Sequence, residues 1–283
     1  MPEGHTLHAL AGSIDRAFAG TTVTATSPQG RFEDGAALLD GRVLREATAW
    51  GKHLFAEFDG DAWLHVHLGL IGKFAVHRRT GHDGMPSAHV PVQGQVRLRL
   101  LNDAWVGALR GPNLCAVVTP DEVAAVHARL GPDPLRPDPD PDTAWRRISR
   151  STRSMAELLM DQAVVAGVGN VYRCELLFRH RVDPCRPGRE IRPVTWRAMW
   201  EDLVGLMREG VRTGRIDTVR PEHTPEAMGR PPRRDDHGGE VYVYRRTGQP
   251  CHVCGKKIRT EVLVGRNLFW CPGCQPGLPG ASR

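Results

Sequence analysis

The sequence predicts an α+β multidomain chain: a β-rich first part with flanking helices, a helical second part and a small metal-held hairpin near the end. Three observations predict it. Residues 21–118 contain short, partly alternating apolar runs broken by turn signals, residues 143–215 follow helical spacing, and four cysteines cluster between 251 and 274. With 283 residues, 40% of them hydrophobic, the chain suits two domains with ordinary packed cores.

The chain opens "MPEGHTLHAL". Leu7, Leu10, Ala11, Ile14 and Phe18 follow helical spacing, which predicts a short amphipathic helix. A residue as small as Pro2 behind the initiator normally lets the cell remove Met1, leaving a free secondary amine. The alternative is that Pro2 is simply a favourable first residue of the helix.

Next come "RVLREATAW", "KHLFAEF", "AWLHVHL", "KFAVH", "QVRLRLL" and "AWVGAL", with hairpin turns expected at "DGD" (59–61) and "ND" (102–103). Many short strands with tight turns imply a β-sandwich or a barrel. "RTGHDGMPSAHVPVQG" reads as a long loop between two of them. His65 and His67 share one strand face and are taken as half-buried or phosphate-side residues. "TPDEVAAVHARLG" is a capped helix with a glycine stop, and the proline- and aspartate-rich "GPDPLRPDPDPD" ends the first domain. The helical region breaks at "VAGVGN", and a polar "RPPRRDDHGG" loop leads into the cysteines.

Net charge is +6, and it is uneven. Residues 1–150 hold 16 Lys and Arg against 17 Asp and Glu, whereas residues 151–283 hold 22 against 15. A basic second half suits a polyanion partner. No apolar run nears the roughly 18 residues needed to cross a bilayer, and no signal peptide is evident, so a cytoplasmic protein without a membrane partner is expected. Only four lysines occur, at 52, 73, 256 and 257.

Cys251, Cys254, Cys271 and Cys274 read C-x2-C-x16-C-x2-C, two tight turns that supply four thiolates for one structural zinc ion. A redox dithiol is the competing reading, but one pair would suffice for that. Cys115, Cys174 and Cys185 are expected to be buried or half-buried thiols. Between the pairs, "EVLVGRNLFW" predicts a hairpin that presents Arg266 at an exposed turn, where a guanidinium can fork onto a phosphate.

Five stretches then align with one family: "PEG" at 2–4, "GKHLF" at 51–55, "HLGLIGKF" at 67–74, "QAVVAGVGNVYRCE" at 162–175 and "GRNLFWCPGCQ" at 265–275. In this order they resemble the formamidopyrimidine-DNA glycosylase and endonuclease VIII family of DNA-repair enzymes, and "MPEG" looks closer to the endonuclease VIII branch. The resemblance covers essentially the whole chain. It implies an N-terminal β-sandwich with flanking helices (1–131), a linker (132–142), a helix-two-turns-helix domain (143–240) and a zinc-ribbon hairpin (241–276).

The resemblance also implies the site. Pro2 is the nucleophile, Glu3 the general acid and base, and Lys52 and Arg266 complete the catalytic set. Leu70 is the intercalating wedge, and Asn170 and Arg110 bind DNA. Glu3 as a dipole-stabilised helix-end residue, Lys52 as a solvated strand-end lysine, Asn170 as a helix cap, Leu70 as core and Arg266 as a plain turn residue are the structural alternatives. The implied partner is damaged DNA, duplex and also single-stranded, bound by a monomer at the bacterial nucleoid.

One element departs from the family pattern. The formamidopyrimidine branch carries Arg-Arg-Phe-Gly where this chain reads "LRGPNLCAV", so Arg110 remains but the phenylalanine does not. The expectation is a preference for oxidised pyrimidines, abasic sites or single-stranded damage over oxidised guanine opposite cytosine. The rival readings are a non-catalytic zinc-ribbon protein that binds damaged DNA, and an abasic-site lyase with little glycosylase activity.

Overall fold

The computed structural model describes residues 2–79, 92–234 and 239–277. Most of the expected 79–94 loop and part of the 230–239 loop lie outside them. The chain divides into two compact units, residues 1–129 and 130–283.

In the first unit, helix α1 (Gly4–Phe18) buries Leu7, Leu10, Ala11, Ile14 and Phe18, the predicted stripe. The helix starts at Gly4 with Glu3 as N-cap, so Pro2 stands outside it and the reading of Pro2 as its first residue does not hold. Strand β1 (Thr21–Thr26), helix α2 (Glu33–Leu39) and strands β2 (Arg42–Trp50), β3 (His53–Phe58), β4 (Ala62–His67), β5 (Lys73–Arg78), β6 (Leu98–Leu101), β7 (Trp105–Arg110) and β8 (Leu114–Val118) follow. Both predicted hairpin turns occur, after β3 and after β6. Helix α3 (Pro120–Arg129) is capped by Thr119 and Glu122, each side chain bonding the other's backbone N–H.

The strand order is β5-β7-β6-β1-β2-β3-β4-β8, all antiparallel and open at both ends, so the barrel alternative is removed. Strand β1 belongs to both layers: Thr21–Val23 pair with β2 and Thr24–Thr26 with β6. One core fills the sandwich, with Leu44, Leu54, Phe58 and Leu64 from one layer and Phe74, Leu98, Leu100 and Leu109 from the other, together with the apolar face of α1.

The second unit contains helices α4 (Pro141–Ile148), α5 (Met155–Met160), α6 (Asn170–Arg179), α7 (Pro193–Thr213) and α8 (Pro225–Met228), then strands β9 (Arg259–Leu263) and β10 (Arg266–Trp270). Asp140 caps α4 and a Ser154–Glu157 capping box starts α5, while α7 stops at Gly214 in the left-handed region. Its core runs from Ile148 and Leu158 through Tyr172 and Trp196 to Trp270, so the zinc hairpin packs as part of this unit. Glu175 of α6 is fully buried. Its carboxylate accepts from the Thr218 hydroxyl at 2.6 Å and from the backbone N–H groups of Tyr242, Val243 and Tyr244 at 2.7–2.8 Å. This single side chain anchors the segment that enters the zinc module. No helix among the described residues is long and apolar enough to cross a membrane.

Candidate active site and metal centre

One end of the first unit's sandwich gathers four of the sequence-predicted residues. The Gly20 N–H donates to Leu44 O at 2.8 Å and the Ala47 N–H to the Asp15 carboxylate at 3.0 Å, so α1 runs back towards its N-terminus as β2 runs forward. Pro2 and Glu3 therefore lie towards the end of the sheet where β2 turns into β3. That turn is Gly51-Lys52, two residues between the paired Trp50 and His53, with Gly51 at φ 59°. Lys52 thus occupies the turn itself rather than the strand. Since His53 pairs with His67, the β4–β5 loop carrying Leu70 emerges at the same end. The Asn113 N–H donates to His67 O at 2.9 Å, which brings the loop after Arg110 there too.

Glu3 is fully buried, and its side chain makes no capping bond; the Glu3 carbonyl accepts from the Thr6 N–H at 2.9 Å instead. A carboxylate buried in this way can hold or move a proton. Pro2 is half-buried. His5, buried one turn on, is pushed down to about 4 by its burial and so remains neutral.

The β4–β5 loop is built to expose apolar side chains. The Gly72 N–H closes a turn onto Leu68 O at 3.0 Å, and a Cβ at Gly72 would lie 2.3 Å from that oxygen. Gly69 adopts φ 68°, and its N–H donates to His67 Nδ1 at 3.1 Å. Leu70 is consequently 61% exposed and Ile71 82%, which removes the reading of Leu70 as core.

Histidines line the sheet face beneath. His65 and His67 do share a face, and the register adds His53, whose Nδ1 lies 2.9 Å from His65 Nε2. Burial, reinforced by neighbouring positive charge, pushes His53 down to about 3 and His65 down to about 4, and burial also lowers His67. His53 escapes the sequence reading because it sits on the neighbouring strand; aligning the two strands across "DGD" finds it. The cysteine expectation needs one correction. Cys174 is buried and Cys115 partly so, with burial pushing their thiols up to about 11 and about 12, but Cys185 is exposed.

In the second unit, Gly167 at φ 90° and the extended Gly169 turn the chain into α6. The N-cap is Gly169, so Asn170 is the first helical residue rather than the cap. The Asn170 side chain instead donates to Asn267 O at 2.9 Å, and Arg173 bonds both Asn170 Oδ1 and Asn267 O. Asn170 is thereby held beside Arg266, the exposed first residue of β10. Val264 (φ 47°) and Gly265 (φ 69°) form the hairpin tip next to it.

The four cysteines converge, with every Sγ within 4.8 Å of the others. The Cys251–Cys274 and Cys254–Cys271 sulfurs are 3.8 and 3.4 Å apart. A tetrahedron of thiolates about 2.3 Å from zinc has an edge of about 3.8 Å, so the residues fit one structural zinc ion. Gly273 leaves room for the knuckle, since a Cβ there would lie 2.8 Å from Cys254 Sγ. With all four corners protein-held, the ion stiffens the hairpin that carries Arg266.

Residues 1–106 match the family described as formamidopyrimidine-DNA glycosylase N-terminal domain, 130–221 its H2TH domain, and 248–277 a zinc finger found in FPG and IleRS. The chain is 54% identical over 275 residues to endonuclease 8 1 of Mycobacterium tuberculosis, covering 97% of this chain and all of that one. It is 32% identical to the formamidopyrimidine-DNA glycosylase of Thermus thermophilus, covering 84% and 85%. A solved complex of Lactococcus lactis Fpg with abasic-site DNA shares the fold, with a TM-score of 0.76 at 21% identity over 97% of this chain and 100% of that one. The three family models match this chain in the order sheet domain, helical domain and zinc finger, and the chain belongs to the formamidopyrimidine-DNA glycosylase and endonuclease VIII family.

Proposed function

We propose that this chain is a bifunctional DNA glycosylase and abasic-site lyase of base-excision repair, removing oxidised bases, chiefly pyrimidines, through a Pro2 Schiff base. The supporting observation is the fully buried Glu3 next to a Pro2 that stands outside α1, at the sandwich end that also bears Lys52 and the exposed Leu70.

The chemistry follows from the amine. An α-amino group titrates near 7.7–8.0 against about 10.4 for lysine, so once Met1 is removed much of it is neutral at physiological pH. Its lone pair attacks C1′, the C1′–base bond breaks, and the base leaves with that electron pair and takes up the proton that the nitrogen sheds. Glu3 protonates the ring oxygen as the sugar opens, giving a C1′ iminium that a secondary amine cannot neutralise by losing a proton. The iminium acidifies C2′; loss of that proton expels the 3′ phosphate, and a second elimination expels the 5′ phosphate. Water then releases the sugar remnant and regenerates the amine. Lys52, Asn170 and Arg266 are assigned to the lesion-strand phosphates and Leu70 to the gap left by the flipped nucleotide. Arg110 is assigned to DNA on the side opposite the lesion. We assign a monomer acting at the nucleoid on duplex DNA and on single strands.

Single-turnover cleavage of matched duplexes carrying an oxidised pyrimidine, an abasic site or oxidised guanine opposite cytosine tests this. The expected result is strand cleavage at the first two, lost in Glu3→Gln. Activity confined to oxidised guanine opposite cytosine would refute the lesion preference, and no cleavage of any substrate would favour a non-catalytic damage-binding protein.

A further inference from the structure

On the β5 side of the β4–β5 loop lies a cleft of about 330 Å³ lined by Arg31, Lys73, Arg97 and Arg110, with Ile71 at its edge. None of its described lining residues carries a carboxylate. Lys73 and Arg110 stand directly opposite each other on β5 and β7, so two like charges share one face at close range. Such a pair opposes strand pairing and concentrates positive charge at this point of the sheet. The frame around it is fixed. Gln29 spends both ends of its amide on the backbone, accepting from the Val96 N–H at 2.7 Å and donating to Gly94 O at 3.3 Å. Ser27 holds Arg97 O at 2.8 Å, Arg97 reaches Arg31 O at 3.4 Å, and Arg110 Nε donates to Gln93 O at 3.0 Å.

We propose that this cleft binds backbone phosphates of the strand opposite the lesion and is the site by which the protein favours duplex over single-stranded DNA. The proposal rests on the DNA-repair reading above. The loop that presents Leu70 and Ile71 joins β4 to β5, and these strands lie in different layers of the sandwich. Lys52 flanks that loop on the β3–β4 layer and the cleft flanks it on the β5–β7 layer. An apolar wedge entering a base step has one strand's backbone on either side, so if Lys52 meets the lesion strand, the cleft meets the complement. Four cations with no carboxylate among the described lining residues suit phosphodiesters and offer no base-edge code.

Lys73→Glu is the deciding variant because it converts the like-charge pair with Arg110 into an opposite-charge pair. Thermal stability should hold or rise, whereas a merely structural lysine would give no loss of DNA binding. Affinity for a short duplex containing a tetrahydrofuran abasic-site analogue should fall about tenfold or more, and the same strand alone should bind as before. In Arg31→Ala/Arg97→Ala, the duplex log–log salt slope should shrink by about 2, near 0.9 for each phosphate no longer neutralised. Duplex affinity of Lys73→Glu within twofold of the parent would overturn the proposal. Equal losses on duplex and single strand would also overturn it, because the phosphates would then belong to the lesion strand. Wild-type protein that binds these probes but cleaves no lesion sinks the enzymatic reading alone, since the affinity ratio still decides the cleft.

Discussion

Glu175→Gln should loosen the second unit far more than a surface change of the same size. The carboxylate is fully buried and accepts four bonds, two on each oxygen. Replacing one oxygen by NH₂ sets a donor against a backbone N–H, either that of Tyr242 or those of Val243 and Tyr244. An orphaned buried N–H costs about 1–3 kcal/mol. The bonds that survive lose their charge, about 1 kcal/mol each. Together these give about 3–5 kcal/mol, comparable to the lower range of whole-domain stability. In a unit of this size that lowers the melting temperature by roughly 10 °C or more. Calorimetry or urea unfolding of the parent and the variant reads this directly. A change below 1 kcal/mol would show that the carboxylate is not the anchor of the 242–244 segment.

Acidification should weaken the first unit. His53 and His65 hold folded values of about 3 and about 4 because burial disfavours their charged forms, against about 6.5 when unfolded. Between those values the unfolded chain binds more protons, so their contribution is complete above pH 6.5 and drains away as pH falls towards 4 for His65 and 3 for His53. Each imidazole accounts for up to about 2 kcal/mol at pH 5. A first-unit urea midpoint that stays flat from pH 7 to 5 would contradict this. Removing zinc by chelation, or Cys254→Ser, should abolish DNA binding by releasing the Arg266 hairpin while the first unit stays folded; unchanged affinity would contradict it. Leu70→Ala should leave thermal stability within about 0.5 kcal/mol, because the side chain is 61% exposed, yet slow excision from duplex DNA. Equal rates for parent and variant would remove its role as a wedge.

The sequence carried those parts whose cause is local. Cysteine spacing, the "DGD" and "ND" turns, and the α1 stripe each depend on a few neighbouring residues, and each appears as expected. Features that need strands aligned or distant segments brought together were missed. His53 could have been found by aligning β3 and β4 across their hairpin. Glu175 looks like an ordinary helical glutamate until residues 67–69 positions later fold onto it. The basic cleft combines Arg31, Arg97 and Arg110, which are remote in sequence and have nothing in common as a motif. At Pro2 the sequence left two options, and the helix start at Gly4 places the residue outside α1.

Borohydride reduction of the protein on abasic-site DNA, followed by mass mapping of the adduct, identifies the nucleophile. One sugar remnant is expected on the nitrogen of a peptide that begins at Pro2. An adduct on Lys52 or another lysine, or active protein still carrying Met1, would contradict it.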